Sequence, residues 1–394
     1  MNYKNYLYFS TFFTFILVIV IASINYRVDP YGLYRPATKF SLSRINQFHH
    51  MRTIKPLKVY QLQPNAIVIG SSTAGRIAPQ HPSWETYTSY NLSIPGITNY
   101  ELLRLVQHSH ATQPLMSLVI GLDFSAFLPS APKLRRGFDD AALTNREGEI
   151  SSIVTGWSRF KVHYRTLLST TTLINSLSAI LDKRTTHNTY FPSGNWYSGS
   201  KHIFSGIAGF KFTAKHQIEL QTPYGPEQAM DFSYFVELLE FCHANKINTH
   251  FILMPVHIMY LEVYKHLNLM DEWRYWHDRL IAENNRLARQ YQRDTYSIWG
   301  FNAAYDIVNE PLWNNIDSTK SWFQGGVHFN PHFGKIMLNE TLSNDISPSH
   351  GIKLNKTNLA TYLDQVEKIN IDFLKEHEEN TAQLIRQIKA PTSN

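Results

Sequence analysis

Between Lys4 and Arg27 the chain carries no charged residue, and Phe12 to Ala22 is an almost unbroken run of Phe, Ile, Leu and Val. Backbone surrounded by lipid must satisfy its own N–H and C=O groups, so in a bilayer such a run is a helix. About 22 uncharged residues make roughly 33 Å of helix, enough to cross the hydrocarbon core. A cleaved signal peptide is the competing reading, with a shorter apolar part and a small-x-small site after it. Ala22 and Ser23 are small, but Ile24, Asn25 and Tyr26 suit that site poorly. The stretch therefore reads as an uncleaved anchor over 1–27. A turn-rich connector follows over 28–60, with Asp29-Pro30-Tyr31-Gly32 and Arg35-Pro36. Lys4 precedes the span while Arg27, Arg35, Lys39 and Arg44 follow it. By the positive-inside rule, that count places the following domain in the cytoplasm.

Beyond the connector, strand and helix signals alternate. Ala66-Ile67-Val68-Ile69-Gly70 is a short apolar run suited to a strand buried on both faces. Tyr90 to Ile94 is a second strand, stopped by Pro95-Gly96, and Ser117 to Phe124 is a third. Thr98 with Glu101 three residues on is a capping box opening a helix between them. The rhythm resumes with a helix at 229–246, a strand at His250–Met254, a helix near 271–292 and a strand at Thr295–Phe301. Asn330 caps, and Pro331 opens, a helix to about residue 341. Such alternation indicates an α/β domain, a parallel sheet with helices on both faces, over 61–345. Residues from about 128 to 228 break it, with a Ser/Thr-rich helix near 165–182 and a polar, aromatic stretch after it. They read as an insertion that covers a site or contacts a partner. The tail, 346–394, reads as helical and polar.

Composition excludes some functions. The net charge of +6 is modest, and no basic run forms a nucleic-acid stripe. The single cysteine, Cys242, cannot form an intramolecular disulfide. It lies in an apolar run at helical spacing with Phe235, Leu238 and Leu239, as a small core residue does. His328 and His332 have the spacing of a zinc helix, but Pro331 breaks the helix they would share. His108-x-His110 and His49-His50 lack a third ligand at a suitable spacing and read as surface residues. The sequence calls for no metal and no cofactor.

In open parallel sheets, ligands bind beyond the C-terminal ends of the strands. Those positions hold Gly70-Ser71-Ser72, Pro95-Gly96, Gly121-Leu122-Asp123 and Pro255-Val256-His257. His328 falls in the loop before the last domain helix, free to point across the sheet edge. A serine at a strand-to-helix turn with a histidine on a late loop is the minimum for acyl transfer. The imidazole takes the hydroxyl proton, and backbone N–H groups hold the oxyanion. His257 reads either as a core histidine below a proline turn or as a substrate contact.

These residues resemble the SGNH hydrolase superfamily, whose first motif holds the nucleophile in Gly-Asp-Ser. Gly70-Ser71-Ser72, with Ser in place of Asp, is similar to the branch of membrane-anchored D-alanine-transfer and alginate O-acetyltransferase-type proteins. The resemblance implies a flavodoxin-like sheet, Ser72 as nucleophile, Gly96 in the oxyanion hole and His328 as base. It also implies a membrane-bound O-acyltransferase as partner, a cell-surface glycan or polymer as substrate, and a single-pass inner-membrane protein with an extracytoplasmic (periplasmic) domain. That placement opposes the charge count. Two positions depart from the pattern. Asp123 stands where the third motif has an oxyanion-binding Asn, and Gly325 stands three residues before His328, where the family has Asp. Asp317 or Glu310 would have to replace that acid, or the site runs as a Ser–His dyad. The expectation is an anchored serine acyltransferase or esterase. The alternative is a non-catalytic scaffold or polymer-binding module on the same fold.

Overall fold

The computed structural model describes residues 2–34, 47–144, 160–161, 163–181, 188–198, 206–221, 229–313, 321–343 and 348–389. Arg35, Lys39 and Arg44, on which the charge count rests, and Asp317 lie outside them. Helix α1 (Tyr3–Val28) is long and apolar enough to cross a membrane. Asp29 ends it in the left-handed conformation, and its carboxylate accepts the N–H groups of Leu33 and Tyr34 at 2.7 and 2.8 Å. Residues 51–60, read as connector, are instead part of a helix, α2 (Met51–Leu62), which tolerates Pro56 in its interior.

The rest is mixed α/β. Strands β1 (Ala66–Ile69), β2 (Ser89–Asn91) and β3 (Ser117–Leu122) alternate with helix α3 (Asn99–Thr112). After them come α4 (Thr170–Ile180), the hairpin β4 (Asn188–Tyr190) and β5 (Trp196–Ser198), and α5 (Gly206–Gln221). Helix α6 (Ser233–Ala244) and β6 (Asn248–Leu253) resume the alternation, followed by α7 (Tyr260–His266), α8 (Met270–Gln290), β7 (Ser297–Gly300) and α9 (Tyr305–Val308). The pair β8 (Phe323–Gln324) and β9 (His328–Phe329) precedes α10 (Pro331–Leu342), and the chain closes with β10 (Ile352–Leu354), α11 (Leu359–Glu376) and α12 (Glu378–Lys389).

The central sheet has the order β2-β1-β3-β6-β7-β10, parallel throughout except for β10, which runs antiparallel to β7. Every residue of β1 and β3 is buried, so helices and loops cover both faces there. Apart from the helix expected after Ser72, the expected strands and helices appear with ends shifted by a few residues, and the Thr98–Glu101 capping box forms.

Further expectations need correcting. The tail begins with a strand, because Ile352 and Leu354 alternate about Lys353 and complete the sheet edge. It is also amphipathic rather than simply polar, since α11 buries Leu359, Tyr362, Leu363, Val366 and Phe373. Finally, His108 is no surface residue: it is buried in α3 with its ring against Tyr60 and Nε2 on the Pro56 carbonyl at 3.1 Å.

Candidate active site

The strand order reverses between β1 and β3, and a crevice opens beyond the C-terminal end of a parallel sheet at such a point. Here β1 delivers Gly70-Ser71-Ser72 and β3 delivers Asp123. Gly70 is required by close approach: a Cβ there would sit 2.7 Å from the Ala74 Cβ and 2.8 Å from the Gly121 carbonyl. The turn carrying Ser72 leads into a single 3-10 turn, Ala74–Arg76, and not into the expected α-helix. Pro79 and Pro82 follow too soon for a helix to continue. Ser72 therefore gains little from a helix dipole.

His328 is fixed more firmly than a loop residue. Gly325 and Gly326, both at positive φ, turn the chain between β8 and β9, and His328 pairs with Gln324. The Gly-Gly pair between two short apolar segments is a hairpin signal that the loop assignment overlooked. This hairpin sets the His328 Nε2 2.9 Å from the Ser72 Oγ. Ser72 and His328, 256 residues apart, meet within hydrogen-bond reach.

Among the described residues no acid orients His328. No carboxylate bonds to His328 among the described residues. Glu310 is held elsewhere, accepting Ser321 Oγ at 2.7 Å and the Trp322 N–H at 2.8 Å. A side chain at 325 meets α5, since a Cβ there would lie 2.8 Å from the Thr213 methyl, and Thr213 Oγ1 donates to the Gly325 carbonyl. What faces His328 electrostatically is Arg76, buried and donating to Gln324 Oε1 and the Phe329 carbonyl. Burial first, and this guanidinium second, push the His328 imidazole down to about 3, so it stays neutral at ordinary pH. Gly325→Asp is accordingly expected to lower stability by about 1–3 kcal/mol in denaturant titrations, from forcing a side chain at positive φ, without speeding chemistry at Ser72. A stabilised or faster variant would contradict this account.

Asp123 sits at the expected place and is held by the turn that carries Ser72. Its Oδ1 accepts from Thr73 Oγ1 at 3.1 Å, and Thr73 bonds Ser71 Oγ at 3.0 Å. Burial raises its carboxyl to about 6, although the Ser71 and Thr73 hydroxyls pull it the other way. Gly96 is exposed at the cleft rim, and its loop is clamped. Arg52 donates to the Pro95 and Gly96 carbonyls at 3.1 and 3.0 Å and pairs with buried Glu101. Sequence reasoning missed Arg52 and Arg76, because their partners lie far along the chain.

His257 does not line the cleft. It is fully buried, with Nε2 on the Glu310 carbonyl at 2.6 Å, and its N–H donates to Gly326 at 2.7 Å, which braces the β8–β9 turn. His332 lies on α10 against Trp322, and no metal-binding group of three or more His, Cys, Asp or Glu occurs among the described residues.

Ser72, Gly96, Asp123 and His328 share one cleft of about 550 Å³. Its inner wall is apolar and aromatic, from Met254, Tyr260, Tyr264, Trp273 and Trp276, and α5 of the insertion closes one side with Phe212, Thr213 and His216. Compared with family models, curated proteins and solved structures, the chain matches none of them.

Proposed function

We propose that this chain is a membrane-anchored serine acyltransferase or esterase of SGNH type. The observation that carries the reading is the 2.9 Å contact between the Ser72 Oγ and His328 Nε2 in a cleft at the sheet's switch point. The order β2-β1-β3-β6-β7 agrees with the flavodoxin-like sheet that the SGNH resemblance implies. Ser72 Oγ attacks the acyl carbonyl carbon while its proton passes to His328 Nε2. The Ser72 and Gly96 N–H groups hold the oxyanion. The tetrahedral intermediate collapses, the alcohol leaves with the proton from His328, and the acyl group remains on Ser72. Water or a hydroxyl of a cell-surface glycan or polymer then takes it. The apolar inner wall suits an acyl group, and the exposed rim suits a large acceptor. By the resemblance, α1 anchors the protein in the inner membrane with its domain outside the cytoplasm, beside a membrane-bound O-acyltransferase.

One observation favours a second reading, a non-catalytic scaffold: His328 has no carboxylate to orient it among the described residues. Fluorophosphonate labelling of the full-length protein in detergent separates the two. The enzyme reading expects wild type to label and Ser72→Ala not to; equal labelling of both would sink it. A C-terminal reporter active only in the cytoplasm would overturn the placement.

A further inference from the structure

Helix α4 is built the wrong way round for water. Its buried face is small, with Thr172, Ser176 and Ala179, while Ile174, Ile180 and Leu181 are about 60 % exposed and Leu177 is 44 % exposed. A helix on a soluble domain turns its large apolar side chains inward and its small polar ones outward. The reverse arrangement belongs to helices that pack closely on a neighbour and face lipid. No charged residue lies between Arg165 and Asp182.

The neighbour under the small face is α1. Asn25, buried near the end of α1, donates to the Leu167 carbonyl at 2.7 Å and accepts from Ser176 Oγ at 2.9 Å. An amide in an apolar helix is costly unless partnered, and α4 and the residues before it supply its partners. Around this junction stand Phe160, Tyr164 and Tyr26, exposed, together with exposed Lys161, Arg165 and Arg27. Tyr34 links the two segments, touching Tyr26 and the His163 ring. Aromatic and basic side chains of this kind gather at a membrane–water boundary.

We infer that α4 is itself seated in the bilayer against the last turns of α1, with Ile174, Leu177, Ile180 and Leu181 in contact with lipid acyl chains. The inference rests on the reading of α1 as a membrane span. The occupant follows from continuity: the exposed face of α4 extends the lipid-facing surface of the helix it packs on. At 11 residues α4 is about 16 Å long, so it enters one leaflet and does not cross. The domain is thereby held at two points, which fixes its rotation about α1 and the direction the cleft faces.

Nitroxide labels on the full chain in phosphatidylethanolamine–phosphatidylglycerol vesicles test this. Single cysteines would replace Ile174, Leu177 or Leu181, with Val18→Cys as the lipid reference and exposed Asp278→Cys on α8 as the aqueous reference; native Cys242 is buried. The three α4 labels are expected to match Val18, gaining collisions with oxygen and losing those with a water-soluble nickel chelate. If Val18 shows the lipid pattern and the α4 labels show that of Asp278, α4 lies in water and the inference is overturned. Labels on α4 shielded from both reagents would mean a protein occupant, which also overturns it. Nickel accessibility at Val18 as well would sink the anchor reading, and this inference with it.

Discussion

Replacing His328 with glutamine is expected to slow fluorophosphonate capture at Ser72 by about 10²-fold, the lower end of what a general base contributes. In a complete triad the histidine is worth more, because a carboxylate fixes its tautomer and stabilises the imidazolium; losing that acid alone costs on the order of 10⁴. Here the acid is missing from the described residues, and burial with Arg76 nearby makes imidazolium still more costly. A base whose protonated form is so disfavoured takes a proton weakly, so less remains to be lost. Glutamine retains a polar side chain at the β9 position and keeps the hairpin intact. If Ser72 and His328 act as one unit, as proposed, adding Ser72→Ala should bring the rate to background and make the second change invisible. Stopped-time labelling followed by mass spectrometry of the Ser72 peptide reads both rates. Equal capture by wild type and His328→Gln would show that the 2.9 Å contact carries no proton.

How far the chain could be read in advance depended on how local each cause was. β1, β3 and β6 were legible because four to six consecutive residues carry the whole apolar signal. Thr98 with Glu101, and Asn330 with Pro331, announced two helix starts through contacts three residues apart. Sequence places Ser72 at a strand end and His328 in a late loop, and only the fold brings them to 2.9 Å. Illegible features had distant causes. Gly325 reads in sequence as a lost acid, whereas in space it is a positive-φ turn with α5 packed against it. Residue 123 reads as a failed oxyanion donor, whereas in space it is a carboxylate held by Thr73 of the turn that carries Ser72. β10 was missed because three residues give too short an alternation to outweigh the long helical pattern after it.

Asp123 gives the largest expected effect of pH. With the carboxyl raised to about 6, it is protonated in mildly acidic solution and offers the cleft an O–H donor. Above that point it becomes an anion where, on the proposed function, an oxyanion forms. His328, lowered to about 3, is already neutral across this window and adds no step of its own. Turnover of a small ester should therefore fall as pH rises through about 6, opposite to the usual rise as a catalytic histidine loses its proton. The same sign holds for stability. A carboxyl raised on folding stabilises the fold at low pH, and that contribution disappears as pH rises through the folded value. Asp123→Asn replaces the titrating group with a permanent donor, so the fall in rate should vanish. At pH 8 the variant should exceed wild type by about 10²-fold, the worth of one oxyanion donor. The measurement is kcat/KM against pH for both proteins, with thermal melts over the same range. If wild type gains rate between pH 5 and 8 (bracketing about 6), or Asp123→Asn is slower throughout, the ionised carboxylate assists the reaction and this account of the site is wrong.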